Sequence, residues 1–150
     1  MTSVHTKPMG TRSRIGIQQG NSITSVYCHW DGYPEFNGRI LRDHYDTTEK
    51  VKDLIDGGNI SALHTNVGWN QETLSETGPL YYTSRGETIE MNAPRFDEDL
   101  FDFLEKENNE EYAYVWTINN RWVCYKMNQW ENDKNPEKVE IPAGTVGGEE

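Results

Sequence analysis

The sequence predicts an α+β domain, an antiparallel sheet of about five strands with two or three helices packed on one face. Three observations predict it. β-branched and aromatic runs bounded by turn residues occur near both ends of the chain, at Ile23 to Trp30 and at Tyr112 to Met127. Between them, apolar residues recur at helical spacing, at Phe36, Ile40, Leu41 and Tyr45 and again at Val51, Leu54 and Ile55. Finally, 150 residues suffice for one core, and five Trp, eight Tyr and four Phe offset a hydrophobic content of only 34%.

Residues 1–9 lack periodicity and read as a flexible leader, residues 10–130 as one domain, and residues 131–150 as an acidic tail. In the domain, Ile15 and Ile17 alternate with polar residues before the turn Gln19-Gly20-Asn21-Ser22, and a second strand runs from Ile23 to Trp30. A two-residue turn at Gly20-Asn21 sets Ile15 opposite Val26, Ser13 opposite Cys28, Arg14 opposite Tyr27 and Arg12 opposite His29. One face of this ribbon then carries Ile15, Ile17, Val26, Cys28 and Trp30; the other carries Arg12, Arg14, Tyr27, His29 and Asp31.

A short helix ends around Tyr45, and Asp46 with Glu49 resembles a capping pair for the next, which Gly57-Gly58 stops. Asn59 to Leu63 reads as one further helical turn, residues 64–79 as a long loop, and Leu80 to Ser84 as a strand before a turn at Arg85-Gly86-Glu87. Asp97 is suited to cap a helix through Glu107 with Leu100, Phe101, Phe103 and Leu104 as its apolar stripe. Tyr112 to Ile118 and Arg121 to Met127 form a hairpin about Asn119-Asn120, which pairs Trp116 with Val123.

The net charge is −11, which argues against direct nucleic-acid binding, since that needs a basic footprint. The charge is uneven. Residues 86–111 hold ten acids against Arg95 and Lys106, whereas the first 46 residues are nearly balanced. No long apolar run implies a membrane span, and with only Cys28 and Cys124 the chain reads as reduced, both thiols acting as small buried hydrophobes. Neither metal nor cofactor is expected, because the Cys and His residues show no ligand spacing and phosphate-binding glycine motifs are absent.

The runs Thr11-Arg12-Ser13-Arg14-Ile15-Gly16-Ile17 and Tyr27-Cys28-His29-Trp30-Asp31-Gly32-Tyr33-Pro34, with Gly38-Arg39-Ile40-Leu41, Val51 to Ile55, Asn59 to Leu63 and Arg85-Gly86-Glu87, resemble a family of small bacteriophage proteins. The resemblance covers most of residues 11–125. It implies a phage origin and expression in a bacterial cell, hence the host cytoplasm, and it carries no activity with it.

Two candidate sites follow. Arg12, Arg14, Tyr27, His29, Asp31, Tyr33, Arg85 and Glu87 suit a phosphorylated small molecule such as a nucleotide, because guanidinium groups fork onto phosphate and aromatics stack on bases. The same residues could instead form cross-strand ion pairs on a wetted sheet face. Asp97, Glu98, Asp99 and Asp102 offer an acidic face for a basic host protein, or simply a solvated helix surface. The expected function is a non-enzymatic binding protein of phage origin, a host-takeover or counter-defence factor that sequesters a small molecule or inhibits a host protein. The alternative is a nucleotide- or nucleic-acid-directed hydrolase using His29 with Asp31 as base and orienter.

Overall fold

The amino-terminal ribbon forms as its alternation requires. Strands β1 (Ser13–Gln19) and β2 (Ser22–Trp30) pair antiparallel with Ser13 opposite Cys28, Arg14 opposite Tyr27 and Ile15 opposite Val26. Gly20 supplies the positive φ of 62° that the tight turn needs. The computed structural model describes residues 11–63, 78–105, 109–128 and 135–144; the expected leader and most of the long loop after Leu63 lie outside them.

The α+β class holds, and the sheet is larger than five strands and mixed. To the ribbon are added β3 (Ile60–Ala62), β4 (Leu80–Tyr81), β5 (Arg95–Asp97), β6 (Tyr112–Trp116), β7 (Trp122–Lys126) and β8 (Glu137–Val139). Their order is β4-β3-β2-β1-β6-β7-β8, with β5 on β2 beside β3. Two neighbour pairs are parallel, β1 with β6 and β2 with β3. Three segments make the difference: β5 ends at Asp97, where a helix cap was expected, and β3 and β8 stand where a helical turn and a tail were expected. Residues 60–62 are a strand, because Ile60 is buried in the main core and Ser61 points to the opposite face. Residues 137–139 extend the sheet instead of trailing as a tail, and Ile141 packs onto the core.

Helices lie on both faces. Helices α1 (Arg39–His44) and α2 (Thr48–Asp56) cover Ile15, Ile17, Val26 and Cys28 with Ile40, Leu41, Val51, Leu54 and Ile55. A fully buried aliphatic side chain of this kind is worth roughly 1.5–3 kcal/mol, so this layer is the main source of stability. Helix α3 (Leu100–Glu105) sets Phe103 against Ile23, Ala113 and Val115 on the other face. A single-face arrangement would have left that apolar row wet.

Several termini differ from expectation by a residue or two. Thr47, not Asp46, caps α2 by accepting from the Lys50 amide at 3.2 Å, while Asp46 pairs with the Lys50 ammonium at 3.1 Å. Asp99, not Asp97, receives the Asp102 amide at the start of α3. Phe101 leaves the expected apolar stripe and stands 71% exposed. In the second hairpin Trp116 opposes Trp122 and Val115 opposes Val123, because Asn120 takes a left-handed φ of 60° and closes a three-residue loop. The strand expected over 80–84 ends at Tyr81 and continues as a 3₁₀ turn over Tyr82–Arg85.

Candidate functional site

The motif Tyr27 to Pro34 works as a strand end and a latch. Asp31 adopts φ 59°, which breaks the alternation of β2, and Gly32 then donates its amide to the Thr11 carbonyl at 2.8 Å. A Cβ at position 32 would lie 2.6 Å from the Cβ of Ser13, so only glycine permits the approach. Pro34 opens a single π turn, and Asn37, fully buried, donates to the Trp30 carbonyl at 3.2 Å and to the Cys28 sulfur at 3.4 Å. Sequence reading gave Asn37 no role. Asp31 and Tyr33, placed in the site by sequence, belong to this latch: the Tyr33 hydroxyl donates to Asp31 Oδ1 at 3.5 Å.

On the face opposite α1 and α2, the ribbon brings Arg12, Tyr27 and His29 together. The Tyr27 hydroxyl lies 2.7 Å from His29 Nδ1, and the nearby Arg12 charge acts to lower the pKa of each ring. The Tyr27 hydroxyl can donate to Nδ1 of the neutral imidazole or accept from it, according to the tautomer. Burial and the Arg12 charge both lower the His29 pKa, which favours that neutral form. The Trp30 ring meets His29 edge-on at 4.7 Å and fixes its plane.

A second arginine stands beside this group. Arg85 Nη1 donates to Ser61 Oγ at 3.2 Å. The Arg85 guanidinium also lies 5.6 Å over the Tyr82 ring, a cation–π arrangement. Strand β3 runs beside β2 with Ile60 opposite Cys28 and Ala62 opposite Trp30, so Ser61 stands on the same face as Tyr27 and His29 and the two groups form one patch. Glu87 lies at its border, near Tyr82 and accepting from Asn92 Nδ2 at 3.2 Å. Ser61 and Tyr82 were missed from sequence; alternation would have pointed to Ser61 had residues 60–62 been read as a strand.

Arg14 is on the same face and is committed elsewhere. Only 9% exposed, it donates from Nε to Ser25 Oγ at 2.8 Å and from Nη1 to Glu110 Oε2 at 3.2 Å. Burial lowers its pKa and raises that of Glu110, the mutual attraction offsetting part of each change. Asp97, expected on the acidic face, is 1% exposed and holds the Arg95 Nε at 2.9 Å. Buried there, it cannot meet a partner; Glu98 and Asp99 are exposed and Asp102 is half-buried.

Cys28 and Cys124 are buried free thiols whose pKa values burial pushes up to about 12. Among the described residues no group of three or more His, Cys, Asp or Glu is placed to hold a metal ion, and no helix is long and apolar enough to cross a membrane. A cleft of about 860 Å³ lies apart from the patch, between α1 and the β7–β8 edge, lined by Trp116, Trp122, Val139 and Ile141. Its indoles are tied down, Trp116 Nε1 to Thr48 and Trp122 Nε1 to the Tyr45 carbonyl. No protein-family model matches the sequence, and no curated protein and no solved structure is significantly similar to it.

Proposed function

We propose that this is a phage-encoded, non-enzymatic binding protein that acts in the host cytoplasm by sequestering a phosphorylated small molecule, as a host-takeover or counter-defence factor. The observation that supports it is the gathering of two guanidinium groups with aromatic rings on one sheet face: Arg12 beside Tyr27 and His29, and Arg85 over the Tyr82 ring and bonded to Ser61. Guanidinium groups fork onto phosphate oxygens and aromatic faces stack on bases, so the patch suits an anionic, flat ligand, and a nucleotide combines both properties. The phage origin rests on the resemblance of the TRSRIGI and YCHWDGYP runs.

The hydrolase alternative needs His29 and Asp31 to act as a pair. Their hydrogen bonds go instead to Tyr27 and to Tyr33 respectively. Calorimetry against a panel of nucleoside mono-, di- and triphosphates, followed by mass spectrometry of the ligand, separates the two readings. Capture of unchanged ligand, weakened at least about tenfold by Arg12→Ala and by Arg85→Ala, is the expected result. Unaltered affinity in both variants removes the patch from the binding site, and conversion of the ligand removes the non-enzymatic reading.

A further inference from the structure

The sheet register lays the arginine and aromatic patch out as a row across three strands. Ser13 lies opposite Cys28, so Arg12, the residue before it, stands level with His29. On the other flank of β2, Ile60 lies opposite Cys28 and Ala62 opposite Trp30, so Ser61 is level with His29 as well. Alternation turns Arg12, His29 and Ser61 away from the helix-covered face, where Cys28 and Ile60 are buried. Adjacent strands lie about 4.8 Å apart, so the backbones of Arg12 and Ser61 are roughly 10 Å apart with the imidazole midway between them.

The two cations are held on opposite sides of that imidazole. Arg85 joins the row through Ser61 Oγ at 3.2 Å, its guanidinium 5.6 Å over the Tyr82 ring. Arg12 is placed by its backbone: its carbonyl accepts from the Glu111 amide at 2.8 Å, and the adjacent Thr11 carbonyl accepts from Gly32 at 2.8 Å. Its charge acts on both Tyr27 and His29. Burial and that charge favour the neutral imidazole, so the middle of the row offers a ring and hydrogen-bonding nitrogens without a charge of its own. Arg12, Tyr27, His29 and Tyr82 are half-buried and Arg85 is exposed, so the row meets solvent.

Two cations with an uncharged middle discriminate among phosphorylated ligands. In a nucleoside diphosphate the phosphoryl groups share a bridging oxygen and stay together at one end of the sugar, so one guanidinium meets them and the other is left without an anion. In a nucleoside 3′,5′-bisphosphate the phosphates leave from different carbons of the ribose, and the sugar lies between them. We propose that the patch recognises a nucleotide with two separated phosphates, one on Arg12 and one on Arg85, with the ribose over His29. The assignment rests on the small-molecule reading above and narrows its ligand class: the spacing of the anions, and not their total charge, selects the ligand.

Calorimetry of the full chain with adenosine 3′,5′-bisphosphate, ADP and ATP tests it, ATP serving as the control of comparable charge. The bisphosphate is expected to bind at least about tenfold more tightly than either of the others. Arg12→Ala and Arg85→Ala should each erase that preference while keeping the parent's melting temperature. Equal or tighter binding of ADP or ATP, or a preference that survives either substitution, overturns this assignment and leaves the broader nucleotide reading standing. Binding of none of the three removes both.

Discussion

Arg12 and Arg14 are two residues apart on one face of one strand, and the structure uses them in opposite ways. Arg14 lies beside β5, locked to Glu110 and Ser25, whereas Arg12 lies at the strand end, half-buried, with its charge near Tyr27 and His29. The first charge is balanced by a buried carboxylate; the second remains near solvent. Alternation assigns a side chain to a face, and what packs over that position decides whether the side chain is structural or available.

The contrast can be broken most forcefully at Glu110. Glu110→Ala leaves a buried guanidinium without its carboxylate and should cost about 3–5 kcal/mol, read from urea unfolding. Replacing both partners, Arg14→Met with Glu110→Leu, should recover most of that loss, because desolvating the pair consumes much of what their attraction returns. If the double variant is no more stable than Glu110→Ala, the network does more than satisfy itself. Asn37→Ala comes next, at about 1–3 kcal/mol, since it strips the Trp30 carbonyl of its buried donor. Arg12→Ala should change stability by no more than about 0.5 kcal/mol while weakening nucleotide capture, the reverse of the Glu110 result.

The smallest effect is a pH dependence. The folded-state pKa of His29 lies below its ordinary value of 6.5. As pH falls the unfolded chain therefore takes up this proton first, so the residue's contribution to stability is complete above about 6.5 and is lost below it. His29→Gln should flatten that part of the stability profile.

Much of this was legible in the sequence. The pairing of β1 with β2, the opposed faces of the ribbon, both early helices and the turn at Gly86 all follow from local periodicity and turn chemistry. What escaped depends on tertiary context. A three-residue strand such as Ile60–Ala62 has too few residues to display a period, so Ser61 was lost with it. A single left-handed residue at Asn120 moved the second hairpin by one position. The depth of Arg14 and Asp97 depends on what packs over them, which no local pattern records; the cluster around Tyr27 was visible because its members share one two-stranded ribbon.

The parallel contact of β1 with β6 sets a condition on biosynthesis. Of the described strands β1 leaves the ribosome before the others, yet it lies in the middle of the finished sheet, and one of its flanks stays open until Tyr112–Trp116 has been translated. Nascent chains halted short of that segment should therefore display a bare, β-rich ribbon and be held by chaperones, a direct result of threading the oldest strand through the centre of the molecule.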